Sequence, residues 1–346
     1  MAKVKWGVLG AGGIARRRTI PEGIVPASNA ELVAVYSVSD GEAVARQFGA
    51  QNCDSKEALL ASDIDAVYIA TPTFLHREQV LLAAAAGRHV LCEKPLALNT
   101  DDATDMIRAC DKAGVKLGVG LMMRYHASHV EAARLIRAGR IGTPVMGRAQ
   151  LSCWYPPMEN AWRQDPALGG GGALADLGVH CIDLLEMFFG RTRSVMASIG
   201  HAVHGYAAED TAVVLLEFEN GARGIVDCLF NVPDESSLNR LELYGSGGSI
   251  LAEGTIGQGA AGTMTLRAAE NASGYEAQQS RGMAGGVPIE PEPSNVYRSQ
   301  IEAFSQAVID GTEPVISGRD GLWNLRVLES CYESARTGCA IELKNK

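Results

Sequence analysis

The chain has 346 residues, 47% of them hydrophobic, enough for two domains with buried cores. Its net charge of −9, without a long basic run, argues against nucleic acid and anionic membrane as main partners. No apolar run approaches the roughly 18 residues of a membrane span, and the N-terminus lacks the features of a signal peptide. The eight cysteines include no Cys-x-x-Cys pair, so a reducing cytoplasm is expected, with neither a metal site nor a disulfide framework.

Val4–Leu9 reads as a short apolar strand running into Gly10-Ala-Gly-Gly-Ile-Ala15. This fits the Gly-x-Gly-x-x-Gly/Ala pattern of a dinucleotide site: a tight turn at Gly10, close approach to a pyrophosphate at Gly12, and Ala15 packing helix on strand. Gly10, Ala11, Gly12, Gly13 and Ile14 are therefore candidate cofactor contacts. Leu32–Tyr36 predicts a second buried strand. Where it ends, an NAD-specific site usually offers an acid to the ribose hydroxyls, but this chain has Ser37-Val-Ser-Asp40. Ser37 leaves room for a 2′-phosphate and can hydrogen-bond to it. Arg16, Arg17 and Arg18 are candidate phosphate partners, although such arginines also coat solvated faces. NADP is the expected cofactor and NAD the alternative.

Helices follow near Glu42–Phe48 and Ser55–Leu60, then a strand over Ala66–Ala70 that ends at Thr71-Pro72-Thr73. A helix over Phe74–Ala86 precedes the strand His89–Cys92, which leads into Glu93-Lys94-Pro95. A helix over Thr100–Ala113 and a strand over Val115–Gly120 complete this half. Strands alternating with helices at this spacing predict a doubly wound parallel sheet with ligands at the strands' carboxyl ends. Gly10, Ser37, Thr71 and Lys94 all fall at such ends, and Pro72, His76 and Glu93 join the cofactor candidates.

After a helix over Ser128–Ala138 the texture changes. Strands are expected at Val145–Cys153, Val195–His201, Thr211–Phe218, Arg223–Leu229, Arg240–Tyr244, Ser249–Ala252 and Met264–Arg267, with a hairpin turn at Asn220-Gly221. The fold class is thus α/β: a Rossmann-type domain over 1–122 and a second α/β domain over 123–346 built on a large, open, mostly antiparallel sheet. Residues 254–294, rich in Gly, Ala, Ser and Pro, read as a mobile excursion. Helices over Val296–Asp310 and Gly321–Arg336 close the chain, free to pack back on the first domain.

Within the second half, four glycines from Gly169 run into an apolar helix that reaches Phe189 and stops at Gly190. Read as one helix, Asp176, His180 and Asp183 share a face at i, i+4 and i+7. An Asp one turn before a His can orient the imidazole and stabilise its charged form, which suits a general acid/base. A satisfied polar patch and a metal-ligand set remain open readings of the same trio. The glycine run gives the backbone room to bring a ligand close to the helix start.

With these pieces placed, the whole length resembles the Gfo/Idh/MocA family of NAD(P)-dependent sugar and polyol oxidoreductases. Gly10–Ala15, Glu93-Lys-Pro95 and Trp162-Arg-Gln-Asp-Pro166 running into Gly169–Asp183 carry the likeness. The resemblance implies a hydride transfer between nicotinamide and a secondary alcohol or ketone of a sugar or polyol. It gives catalytic roles to Lys94, Asp176 and His180: His180 as acid/base, Asp176 fixing its tautomer, Lys94 binding the reacting oxygen. Arg124, Tyr125, Tyr155, Trp162 and Arg163 are candidates for the sugar wall beside Asp176 and His180. Asp183 is expected to support the His180 helix or touch a substrate hydroxyl. Tyr36-Ser-Val-Ser39 is similar to the corresponding segment of NADP-using members. A homodimer or homotetramer through the exposed sheet face is implied, and a non-redox reaction on bound NAD is the alternative activity.

Overall fold

The computed structural model describes residues 2–268 and 285–344. In the first half, β1 (Val4–Leu9), β2 (Ala30–Tyr36), β3 (Gln51–Asn52), β4 (Ala66–Ile69), β5 (His89–Cys92) and β6 (Leu117–Val119) form one parallel sheet in the order β3-β2-β1-β4-β5-β6. Helices α1 (Gly41–Phe48), α2 (Lys56–Ala61), α3 (His76–Ala85) and α4 (Thr100–Ala113) make the crossovers. Covered on both faces, β4 is buried along its whole length, which is why it reads as a continuous apolar run. The helix α4 shows how local signals set its ends: Asn99 accepts the Asp102 N–H at the start, and Gly114 takes a left-handed φ of 69° at the finish. The strand order reverses between β1 and β4, which opens a crevice at their carboxyl ends.

Two local features depart from the expected pattern. β3 has only two residues and no periodicity to announce it. The helix after the glycine loop, Ala15–Ile24, is wound with wide turns: Val25 N–H reaches back five residues to the Ile20 carbonyl, with Pro21 inside.

In the second half, α5 (Ala127–Arg137) leads to β7 (Pro144–Ser152), β8 (Thr192–Gly200), β9 (Thr211–Phe218), β10 (Arg223–Leu229), β11 (Arg240–Gly245), β12 (Gly248–Glu253), β13 (Thr263–Ala268), β14 (Val287–Pro288) and β15 (Ile341–Glu342). They lie in the order β14-β13-β12-β11-β7-β10-β9-β8-β15, antiparallel apart from β7 beside β10. The β9–β10 hairpin turns at Asn220-Gly221, with Gly221 at φ 88°. β14 and β15, two residues each, had no readable signal. Of the excursion expected over 254–294, residues 269–284 lie outside the described residues; Thr255 and Ile256 at its start are buried.

The helix expected over Gly169–Phe189 is instead three pieces: α6 (Pro166–Gly169), a wide-turned segment over Leu174–Gly178, and α7 (Val179–Phe189). Asp176 and His180 stay on one side of this segment, while Asp183 is turned to Arg124. α7 packs on the sheet where Gly147 of β7 admits it: a Cβ there would lie 2.5 Å from the Phe189 ring. The closing helices are α8 (Val296–Asp310) and α9 (Gly318–Thr337). α8 packs on the first sheet, with Trp6 Nε1–H donating to Ser305 Oγ at 3.1 Å and the Trp6 and Phe304 ring centres 5.4 Å apart. α9 lies along β8, where Ser334 Oγ accepts the Ala197 N–H. No described helix is long and apolar enough to cross a membrane.

Candidate active site

A cavity of about 760 Å³ runs along the carboxyl ends of the parallel strands and under the second domain. Its first wall is the glycine loop. Gly10 takes φ 82° and its N–H donates to the Tyr36 carbonyl, while a Cβ would lie 2.8 Å from the backbone of Ala70. Gly10 must therefore be glycine for β1, β2 and β4 to end side by side. A Cβ on Gly12 would meet the Asp40 carboxylate at 3.2 Å, and Gly13, at φ 46°, faces open space. Gly10, Gly12, Gly13 and Ile14 line the cavity, and a dinucleotide's pyrophosphate fits a cradle of this kind.

Ser37, Thr71, Pro72, Glu93 and Lys94 line the cavity as the strand-end reading expected. Ala11 does not: it is fully buried behind the loop. His76 is also displaced from its expected role. It is buried, with Nδ1 at 3.1 Å from the Pro95 carbonyl and Nε2 at 3.0 Å from the Thr71 carbonyl, so it ties two strand-end loops together. Of the three arginines, Arg16 pairs with Asp40, Arg18 pairs with Glu22, and Arg17 alone reaches the cavity.

The second domain brings Tyr155, Trp162, Arg163, Asp176 and His180 to the facing wall. Lys94 Nζ donates to the Asp176 carboxylate at 2.7 Å and to its backbone carbonyl at 2.6 Å, 82 residues away in sequence. The same carboxylate oxygen accepts from Arg163 Nε at 3.1 Å, and the Arg163 guanidinium lies 4.1 Å over the Trp162 ring. Burial alone would raise the Asp176 carboxyl, but Lys94 and Arg163 outweigh it and hold the acid well below its usual range.

His180 is 5% exposed, and its Nδ1 is buried without a hydrogen-bond partner. Burial first, and the Lys94 ammonium second, push the imidazole well below its ordinary pKa, against the opposing pull of Asp176. The resting ring is neutral. The expected Asp176–His180 hydrogen bond is not formed: Asp176 is turned to Lys94 and Arg163 instead.

Arg124 is corrected as well. It forms a two-pronged pair with Asp183, at 2.8 and 2.6 Å, with the carboxylate 3% exposed, and neither residue lines the cavity. The pair ties α7 to the turn after β6. Tyr125 is likewise away from the cavity. Asp176, Asp183 and His180 do not converge, and no group of three or more His, Cys, Asp or Glu among the described residues could hold a metal ion.

The glycine run before Asp176 is filled from within the chain. Both oxygens of the buried Glu209 accept the Gly172 and Leu174 N–H groups, at 2.8 and 3.0 Å. A Cβ on Gly172 would lie 2.0 Å from the Glu209 carbonyl oxygen, and one on Gly171 would lie 1.8 Å from the Tyr332 hydroxyl. These glycines admit protein, not a ligand. The cavity also gains Ser152, Asp234, Asn239, Gly257 and Gln258, which the sequence reading did not find. Of these, Asn239 takes a left-handed φ of 43°, and Gly257 and Gln258 lie in the Gly-rich excursion that begins at 254.

A Rossmann sheet ending in a glycine cradle, joined to an open-sheet domain that supplies an acid and a histidine, defines a two-domain oxidoreductase architecture. The chain belongs to the GFO/IDH/MocA oxidoreductase family: residues 4–121 match "Oxidoreductase family, NAD-binding Rossmann fold" and residues 129–251 match "GFO/IDH/MocA C-terminal domain". It is 33% identical to a 1,5-anhydro-D-fructose reductase of Ensifer adhaerens, with 98% of each chain covered. It is 32% identical to a D-xylose 1-dehydrogenase (NADP(+)) of Haloferax volcanii, over 98% of this chain and 99% of that one. Among solved structures, an aldose-aldose oxidoreductase from Caulobacter crescentus, complexed with glycerol, superposes with a TM-score of 0.88 at 28% identity, covering 99% of this chain and all of that one.

Proposed function

We propose that this protein moves a hydride between the nicotinamide of NADP and a secondary alcohol or ketone of a sugar, cyclic polyol or sugar derivative. The observation that carries this reading is the Lys94–Asp176 contact across the domain junction, in one cavity with His180 and the glycine cradle. Held at Gly10, Gly12, Gly13 and Ile14, the cofactor would supply the hydride chemistry through its nicotinamide. Lys94 holds the reacting oxygen and stabilises its negative charge as the hydroxyl loses its proton, a contribution of about 3 kcal/mol for one preorganised donor. His180, neutral and lining the cavity, takes that proton in oxidation and returns it in reduction. Asp176 places Lys94, and Arg163 holds Asp176 in turn.

Preference for NADP over NAD rests on Ser37 where an acid would repel a 2′-phosphate, and on Arg17 at the same cavity. The relative named as an NADP(+) enzyme agrees with it. A homodimer or homotetramer through the outer face of the second sheet completes the proposal. Purified protein should change nicotinamide absorbance with NADP or NADPH when screened against aldoses, ketosugars, anhydrosugars and cyclic polyols. No absorbance change with any of them would refute the redox reading. A second reading, non-redox chemistry on retained cofactor, has one observation behind it: a 32% identical match over 60% of this chain to a protein named 2,7-anhydro-N-acetylneuraminate hydratase. Substrate consumption with no net absorbance change would select it.

A further inference from the structure

Residues 254–262 connect β12 to β13 and close on themselves. A Cβ on Gly262 would lie 2.6 Å from the Gly254 carbonyl carbon and the Thr255 nitrogen, so the nine-residue loop is pinched at a glycine neck, with Gly254 at φ 68° and Gly262 at φ 105°. Compact loops of this shape, with touching ends, frequently carry function. Its Thr255 and Ile256 are buried, while Gly257 and Gln258 emerge at the cavity.

Two histidines at the start of α5 hold this loop. His129, fully buried, lies with Nδ1 at 2.8 Å from the Met123 carbonyl and Nε2 at 3.1 Å from Thr255 Oγ. A carbonyl only accepts, so Nδ1 carries the proton and the Thr255 hydroxyl donates to Nε2. His126 accepts the Ser128 N–H at Nδ1, capping α5, and donates Nε2–H to the Ala261 carbonyl at 3.2 Å. The two rings are 4.7 Å apart. Burial lowers both imidazoles, so both are neutral and both tautomers are fixed by their partners.

The strand order locates the loop along the cavity. Ser37 ends β2, near one edge of the parallel sheet, whereas Met123 follows β6 at the opposite edge, next to β5 and Lys94. A loop tied to Met123 through His129 therefore stands at the Lys94 end, where the substrate reacts, away from the Ser37 end.

We infer that Gln258 is a specificity-determining residue whose side-chain amide binds a substrate hydroxyl remote from the reacting carbon, and that His126 and His129 are positioning residues that hold it there. This rests on the sugar-oxidoreductase reading above. Gln258 has no part in moving the hydride or the proton, so its contact is made equally in ground and transition states and should appear in KM rather than kcat.

The test compares wild type with Gln258→Ala, His126→Ala, His126→Asn and the Gln258→Ala/His126→Ala double variant. The probes are 1,5-anhydro-D-fructose with NADPH and D-xylose with NADP, by turnover and by calorimetric binding to the cofactor-loaded protein. Gln258→Ala should raise the sugar KM and Kd about tenfold, with kcat within about threefold and cofactor affinity unchanged. His126→Ala should give the same rise and faster hydrogen exchange over 254–262, and the double variant should be little worse than either. His126→Asn keeps a helix cap but cannot reach Ala261, so it should not restore the wild-type KM. Its restoring KM would show that His126 acts only through α5, and would overturn the latch. Wild-type sugar binding in Gln258→Ala would overturn the specificity role alone. Binding to wild type without turnover would overturn only the redox reaction, and no sugar binding to wild type would overturn both.

Discussion

Lys94, Asp176 and His180 are coupled unequally, and the inequality is testable. His180→Ala should lower kcat by roughly 10²–10⁴, and Lys94→Ala by at least as much, since it also removes charge at the reacting oxygen. Asp176 is bonded to Lys94 and not to His180, so Asp176→Asn should add little in a Lys94→Ala background yet keep most of its effect in His180→Ala. The pH profile for oxidation separates their charges. Its acid limb reports protonation of His180, which Lys94 lowers and Asp176 raises. Asp176→Asn should therefore move the limb to lower pH and Lys94→Ala to higher pH; movement in one common direction would sink this electrostatic picture. At the other end of the cavity, Ser37→Asp should lower NADP use more than NAD use. A carboxylate about 4 Å from a 2′-phosphate costs on the order of 4 kcal/mol at an effective dielectric of about 20, ample to invert a modest preference. Steady-state kinetics with both cofactors reads the outcome.

Among the elements, the segment that carries Asp176 and His180 depends on a buried carboxylate from another strand connection. Glu209→Ala would strand the Gly172 and Leu174 N–H groups and the Tyr332 hydroxyl, at a cost of about 2–4 kcal/mol, measurable by urea unfolding. Gly172→Ala should be at least as damaging, because its Cβ meets backbone, which cannot step aside as a side chain could. The helix α5 adds a pH term. Burial, with His126 adding to it, lowers His129 from 6.5 to about 3, so the unfolded chain binds a proton that the native one refuses. Its contribution is full above about pH 6.5 and is lost as pH falls toward 3, at about 1.4 kcal/mol per unit. His129→Gln should flatten the acid side of the stability curve by one proton's slope. The same elements show what was legible in the residue string. Apolar runs bounded by Gly and Pro located β1, β5, β9, β10, α4 and α8 to within a residue or so, because those signals are local. The i, i+4 spacing of Asp176 and His180 brings both to one cavity but not into the expected hydrogen bond, because Lys94, 82 residues away, and Arg163 take the Asp176 carboxylate. Arg124 looks like a sugar contact in the sequence because its partner, Asp183, lies 59 residues away. Asp234 and Gln258 reach the cavity on connections whose paths only the tertiary fold sets.

On the scale of the whole molecule, the open sheet leaves one face to be covered. Its inner face is filled by α7 and α9, while Val213 and Leu215 of β9 and Met196 of β8 point outward, 41%, 50% and 47% exposed. The register sets Met196 beside Leu215 and Leu215 beside Ile225, so these side chains form one apolar row across three strands. Alongside it the charges are matched within the chain: Asp227 accepts from Arg148 and Gln150, and Glu217 is flanked by Arg193 and Arg223. A largely apolar row whose neighbouring acids, Asp227 and Glu217, already have cationic partners can be buried at less electrostatic cost than one with bare carboxylates. Two copies of the face related by a two-fold axis would each meet the other's row, and about 800 Å² per partner would make a stable contact. Met196→Arg with Leu215→Arg should leave the fold intact, since both side chains already face solvent in the single chain. Across the axis, however, the two substitutions would set four like charges against one another. Light scattering at micromolar concentration should show an oligomer for wild type and a smaller species for the double variant, with little change in unfolding free energy after the subunits separate. A monomeric wild type, or a double variant of unchanged mass, would move the oligomer contact elsewhere or remove it.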